Sequence, residues 1–339
     1  MNLDLPLIWA GILALAVFVY VLLDGFDLGI GILFPFARDA ADRDLMMSTI
    51  APVWDGNETW LVLGGGGLLA AFPLAYAILL PALYVPIILM LLALILRGVA
   101  FEFRARGRRF GKAFWTVAFA FGSTVAALAQ GFVLGGFIHG VQVTNGAFSG
   151  GPFDWFTPYG LLVACGLVFG YALLGATWLV LRTSETLHDQ ARRWALATVP
   201  LVAFVLLGVS IATLLVEPRV AAAWGIANGF HWQRLGPLLV IPVLGAIGIA
   251  VVLAGLRRGS HSAPFIGSLL VFASGYAGLA ASFVPYVVPY ALTYRQAAAA
   301  DNALALLLPG AAILLPVILG YTIWVYWLFR SKVVEALYH

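Results

Sequence analysis

Nine runs of about 20 or more mostly apolar residues recur along this chain, each long enough to cross a bilayer as a helix; they lie near 5–33, 50–72, 74–96, 113–138, 158–181, 197–216, 236–256, 263–288 and 304–329. Asp, Glu, Lys and Arg make up only 10% of the 339 residues, and 63% are apolar or aromatic. A soluble domain carries roughly a quarter charged residues, too many more for this chain to be one. So much apolar surface cannot be hidden in water behind so few charges, which excludes a soluble enzyme, a disordered tail and a nucleic-acid binder. A membrane β-barrel would show short alternating strands instead, whereas the continuous run Ala77–Leu96 reads as one helix. Pro6 sits just inside the first run, a favourable place for proline at a helix start. No long polar segment divides the chain. The expectation is an all-α integral membrane protein of about nine transmembrane helices, forming a single polytopic domain over residues 1–339.

The basic residues orient it. Arg38 and Arg43 follow the first run, and Arg97, Arg104, Arg106, Arg108, Arg109 and Lys112 follow the third. Arg182, Arg192 and Arg193 follow the fifth, Arg257 and Arg258 the seventh, and Arg330 and Lys332 the ninth. Fifteen of the 18 basic residues therefore fall on one side, leaving Arg219, Arg234 and Arg295 on the other. The positive-inside rule places the N-terminus outside and the C-terminus in the cytoplasm. The bland reading of the basic stretch 104–112 is a topology determinant rather than a headgroup or partner contact. Met1-Asn2-Leu3-Asp4 lacks a positive region and the apolar run behind it is long, so no cleavable signal is expected. The single cysteine, Cys165, excludes a disulfide framework within the chain.

Charges inside the runs are the informative residues, because each is costly unless paired or hydrated. Asp24 and Asp27 lie late in the first run, and Asp55 and Glu58 early in the second. Each pair has i, i+3 spacing and so shares a helix face. The third run ends at Arg97 and Glu102. Three consecutive helices, which usually pack side by side, should thus bring five carboxylates and one guanidinium to one depth. Such carboxylates are the material of proton relays. The plain alternative is a set of helix-end charges reaching water, with Arg97 pairing Asp55 or Glu58 structurally.

Glycine clusters here too. Gly25 and Gly29 form a G-x-x-x-G that permits close helix approach, and the run Gly64-Gly65-Gly66-Gly67 suggests a tight crossing or a local unwinding. The five histidines, His139, His188, His231, His261 and His339, fall in loops, at span ends or at the terminus. Haem ligation inside a bundle calls for a histidine within a span, so this chain is expected to supply no haem ligand, and no spacing marks a metal site. Trp115, Trp155, Trp178, Trp224, Trp232, Trp324 and Trp327 lie near span ends and read as an interfacial belt. Trp54 and Trp60 flank the acids and are candidates for a quinone contact or for packing.

The segments Asp24-Gly25-Phe26-Asp27-Leu28-Gly29, Ala51-Pro52-Val53-Trp54-Asp55-Gly56-Asn57-Glu58-Thr59-Trp60-Leu61 and Arg97-Gly98-Val99-Ala100-Phe101-Glu102-Phe103-Arg104 occur in this order. They resemble subunit II of the cytochrome bd-type quinol oxidases. Gly175-Ala176-Thr177 with Arg182-Thr183, and Tyr321-Thr322-Ile323-Trp324-Val325-Tyr326-Trp327, resemble the same family. The resemblance implies a nine-helix subunit beside a haem-carrying subunit I that holds haems b and d, in a bacterial cytoplasmic membrane. The complex would oxidise quinol and reduce O2 to water with protons taken from the cytoplasm, and this chain alone would be inactive. Asp55 matches the family's proton-path aspartate. Asp24, Asp27, Arg97 and Glu102 match motif positions that line or organise that path, with Glu58 a less secure member. A bound quinone, lipids and small single-helix accessory subunits are further expected partners. Two rival classes remain open: a proton-coupled secondary transporter, which nine spans without an internal repeat suit poorly, and a purely structural membrane partner.

Overall fold

In a bilayer every backbone N–H and C=O must pair within the chain, so apolar runs become helices. The computed structural model describes residues 4–107, 109–227 and 229–333; Arg108 and His339, counted above, lie outside them. The helices are α1 (Leu5–Leu33), α2 (Ala40–Ser48), α3 (Trp54–Ala71), α4 (Pro73–Ala82), α5 (Tyr84–Arg106), α6 (Arg109–His139) and α7 (Pro158–Arg182). There follow α8 (Glu185–Val216), α9 (Pro218–Ala223), α10 (Trp232–Leu238), α11 (Val240–Arg258), α12 (Ala263–Phe283), α13 (Tyr294–Ala297) and α14 (Asp301–Leu328). Two small antiparallel hairpins interrupt them, Val143–Thr144 with Ala147–Phe148 and Tyr286–Val288 with Leu292–Thr293.

Among the described residues eight stretches are long and apolar enough to cross a membrane: Leu5–Phe36, Tyr84–Arg104, Gly111–His139, Pro158–Arg182, Glu185–Val216, Trp232–Arg258, Ala263–Phe283 and Asp301–Leu328. By length and composition they make this a multi-pass membrane protein. The expected second span appears as α3, an 18-residue helix outside those eight. Asp55, Asn57, Glu58 and five glycines dilute its apolar content. The run Ala77–Leu96 is not one helix. It breaks at Leu83, between α4 and α5, because Pro86 has no N–H to give the carbonyl of Ala82 and its ring would crowd that carbonyl. Phe72, kept out of the helical region before Pro73 at φ −134° and ψ 61°, separates α3 from α4.

The core lies where α1, α6 and α7 meet, and glycine sets its tightness. A Cβ on Gly29 would overlap the Tyr171 carbonyl, and one on Gly175 would lie 2.6 Å from the Ile30 nitrogen. Only two glycines let α1 and α7 cross backbone to backbone here. The run 64–67 behaves otherwise. α3 stays helical through it; a Cβ on Gly65 or Gly66 would meet nothing within 4 Å, while one on Gly67 would fall 2.5 Å from the Leu13 side chain of α1, so the close approach is confined to one end of the run. The expected unwinding is absent, because an unbroken i→i−4 ladder satisfies the backbone. Trp178 also departs from the interfacial belt: it is buried and stacks on Phe26 with ring centroids 4.3 Å apart. By contrast α14 buries only Leu304 and Val325 and turns Leu306, Ile313, Val317, Ile323 and Trp324 outward.

Candidate functional site

Arg97 stands at the centre of the polar interior. It projects from α5, is 2% exposed, and reaches both neighbouring helices. Its Nη1 donates to Asp24 Oδ1 of α1 at 2.7 Å, and its Nη2 donates to Glu58 Oε1 of α3. The guanidinium also lies over the Trp54 ring, 5.9 Å from its centroid. Asp27, one turn beyond Asp24 on the same buried face, accepts from Asn57 Nδ2 at 2.7 Å. Asn57 Nδ2 also reaches the Leu23 carbonyl at 3.3 Å, and Asn57 Oδ1 accepts from the Tyr326 hydroxyl of α14 at 2.9 Å. A second chain approaches Asp24 from the other side. Tyr171 donates to Gln130 Oε1 at 2.8 Å, Gln130 Nε2 donates to the Tyr20 hydroxyl at 2.7 Å, and Tyr20 lies beside Asp24.

Two carboxylates thus pair with one guanidinium, and a third lies one turn away on Asn57. Asp24 Oδ2, Asp27 Oδ1 and Arg97 Nε are buried without a hydrogen-bond partner. Buried polar atoms usually find a partner, often water. Glu58 is the member nearest the surface, its side chain 26% exposed.

The expected convergence of five carboxylates holds for three. Asp55 is exposed in the first turn of α3, and Glu102 is exposed on α5. The i, i+3 step turns a helix by about 60°, which on α3 carries Asp55 off the face that Glu58 presents to Arg97. Trp54 packs on Arg97 and on Phe101, with ring centroids of Trp54 and Phe101 5.1 Å apart. Trp60 is buried against Ala16 and Tyr20. Asn57, Tyr326, Tyr20, Gln130 and Tyr171 were not singled out from the sequence. Asn57 was within reach of that reading, since it stands between the two acids of α3.

A second charge cluster lies one step toward the basic side. Arg104, seven residues after Arg97, donates to Asp44 of α2 at 2.6 Å and to Thr116 of α6 at 3.0 Å; Lys112 Nζ donates to the other Asp44 oxygen at 2.8 Å. Burial alone would raise the Asp44 carboxyl, but the hydrogen bonds from Lys112 and Arg104 outweigh it and hold it below the usual carboxylate range. The four described histidines stay at the periphery. His139 pairs with Glu217 at 3.1 Å, His188 and His261 meet edge to face with centroids 4.9 Å apart, and His231 precedes α10.

Residues 5–329 match the family model for cytochrome bd terminal oxidase subunit II. Over 98% of this chain and 96% of its own length, the cytochrome bd-I ubiquinol oxidase subunit 2 of Escherichia coli K12 is 30% identical. A probable cytochrome oxidase subunit 2 from Haemophilus influenzae is 30% identical over 95% of this chain and 93% of its own. The cytochrome bd ubiquinol oxidase subunit 2 of Bacillus subtilis is 28% identical, covering 96% of both chains. The structure is similar to a chain of the bd oxidase from Geobacillus thermodenitrificans, with TM-score 0.73, 19% identity, and coverage of 97% of this chain and 100% of that one.

Proposed function

This chain belongs to the cytochrome bd terminal oxidase subunit II family, and from that premise we propose that its Arg97 cluster forms part of the path by which cytoplasmic protons reach the O2-reducing centre of the complex. Membership makes it one subunit of an oxidoreductase complex with a subunit I partner. In the proposal subunit I carries the haems, the complex sits in a bacterial cytoplasmic membrane, quinol is the electron donor, and this chain is inactive alone. α3 serves as a ninth crossing: 18 residues span roughly 27 Å at about 1.5 Å per residue, close to the roughly 30 Å hydrocarbon core. Nine crossings leave the termini on opposite sides, and the basic excess on one side favours an outside N-terminus and a cytoplasmic C-terminus, with residues 1–339 as one polytopic domain.

The observation that carries the proposal is the stoichiometry at Arg97. One fixed cation faces Asp24 and Glu58 directly, with Asp27 one turn away. A proton taken up by such a group offsets excess negative charge and its release restores it, while Arg97 compensates part of that charge throughout, so the cluster can alternate between protonation states. Exposed Asp55 collects a proton at the start of α3. Glu58, quarter-exposed and on Arg97, takes it inward to Asp24, and Asn57 with Tyr326 fixes Asp27 alongside. Glu102, on the outer face of α5, contributes to the field at the entry. Trp54 and Trp60 act here as packing residues that hold Arg97 and α1 in place.

Asp55→Asn tests the relay. The assembled complex should consume O2 about tenfold or more slowly with its haem spectrum unchanged; wild-type O2 consumption by a fully assembled variant would end the role. One observation favours a second, structural reading: Arg97 and Asp24 are both nearly fully buried, and breaking such a pair is strongly destabilising. Under that reading acid substitutions lower the amount of complex but leave the rate per haem intact.

A further inference from the structure

Three arginines are buried among the described residues, Arg97, Arg104 and Arg182. The first two face acids. Arg182, the last residue of α7 and 6% exposed, has no described carboxylate within ion-pair distance, and its Nε is buried without an acceptor. Its guanidinium lies over the Trp178 ring, 5.2 Å from the centroid, and Trp178 Nε1, one turn earlier on the same face, is also buried without an acceptor.

We propose that this end of α7 binds a phosphate-type oxyanion, with Arg182 and Trp178 as its donors. An ionised guanidinium is costly to bury unpaired. Both groups present only N–H donors, and a partner rich in acceptors and negative would satisfy them together with the guanidinium charge. A forked guanidinium matches an oxyanion in two parallel bonds. The surroundings add positive charge. Val333 N donates to the Arg182 carbonyl at 2.8 Å, which lays the chain after α14 across this end, and Lys332 Nζ lies 3.4 Å from the ring nitrogens of His261. The location is the end of a span, on the side with the basic excess, where lipid phosphates sit. The oxyanion can come from an anionic phospholipid headgroup or from free phosphate. The site stands whether or not the Arg97 cluster carries protons.

Titration of delipidated, assembled complex separates the sources. Short-chain phosphatidylglycerol, diacylglycerol and inorganic phosphate are added separately, and binding is read by native mass spectrometry and by quenching of tryptophan fluorescence. Wild type should bind phosphatidylglycerol, or inorganic phosphate if free phosphate is the occupant, and should not retain diacylglycerol. Arg182→Gln should weaken the bound anion about tenfold or more. Trp178→Phe, which keeps an aromatic ring against Phe26 and removes only the donor, should weaken it a few-fold and serves if the arginine variant does not assemble. Equal anion binding by wild type and Trp178→Phe or Arg182→Gln, or no anion binding by wild type, would overturn the site.

Discussion

Arg97 and Arg104 lie two turns apart on one face of α5 and are built with opposite stoichiometry. Arg97 is one cation among three carboxyl groups from α1 and α3. At Arg104 one carboxylate, Asp44, is held between two cations, Arg104 and Lys112. A carboxylate gripped by two cations stays ionised and acts as a clamp between α2, α5 and α6. Carboxyls that outnumber their cation have somewhere to put a proton. Burial alone does not make a charge functional; the ratio of signs around it decides what it can do.

The sharpest way to break the comparison is to remove each arginine. Arg97→Met strands Asp24 in the interior and should cost about 3–5 kcal/mol, seen as loss of assembled complex or a large fall in thermal stability. Arg104→Met leaves Asp44 with Lys112 and should cost roughly 1–2 kcal/mol. Equal losses would mean that the two sites do not differ. On turnover the contrast should be as wide. Glu58→Gln is expected to slow O2 consumption by about tenfold or more in assembled complex, whereas Asp44→Asn should leave the rate per haem unchanged.

Acidification distinguishes the clusters a third way. The Asp44 carboxyl titrates below its unfolded value of about 3.9, so the stability it contributes is present above that value and is lost as pH falls through the lowered folded value. Thermal unfolding of the wild-type complex should show this loss below about pH 4, and Asp44→Asn should lack that portion of it. A variant with the same acid sensitivity would remove Asp44 from the account. The smallest effect belongs to Tyr326→Phe. It deletes one hydrogen bond to Asn57 and should cost about 1 kcal/mol, read by thermal unfolding, with a few-fold effect on turnover.

Much of this was legible in the sequence because charge is scarce. In a chain so apolar, Asp24, Asp27, Glu58 and Arg97 stand out at membrane depth, and the i, i+3 pair on α1 keeps a shared buried face. The same spacing misled on α3, where the face meeting Arg97 ends between Asp55 and Glu58, a boundary set by tertiary packing. Asn57 and Tyr326 stand inside the segments that carry the resemblance, but their pairing was not legible. They are uncharged, and 269 residues separate the two ends of their hydrogen bond, so no local pattern joins them. Gly29 and Gly64–67 look alike as letters, yet only Gly29 meets another backbone. The break at Leu83 was signalled by Pro86, but the hydrophobicity of 77–96 masked it.

The account turns on proton exchange at Arg97, and infrared difference spectroscopy of the assembled oxidase between resting and turning-over states reads it directly. A carboxyl protonation signal should be present in wild type, removed or shifted in Glu58→Gln, and unchanged in Asp44→Asn. A wild-type signal that survives Glu58→Gln unaltered, or no carboxyl signal at all, would contradict it.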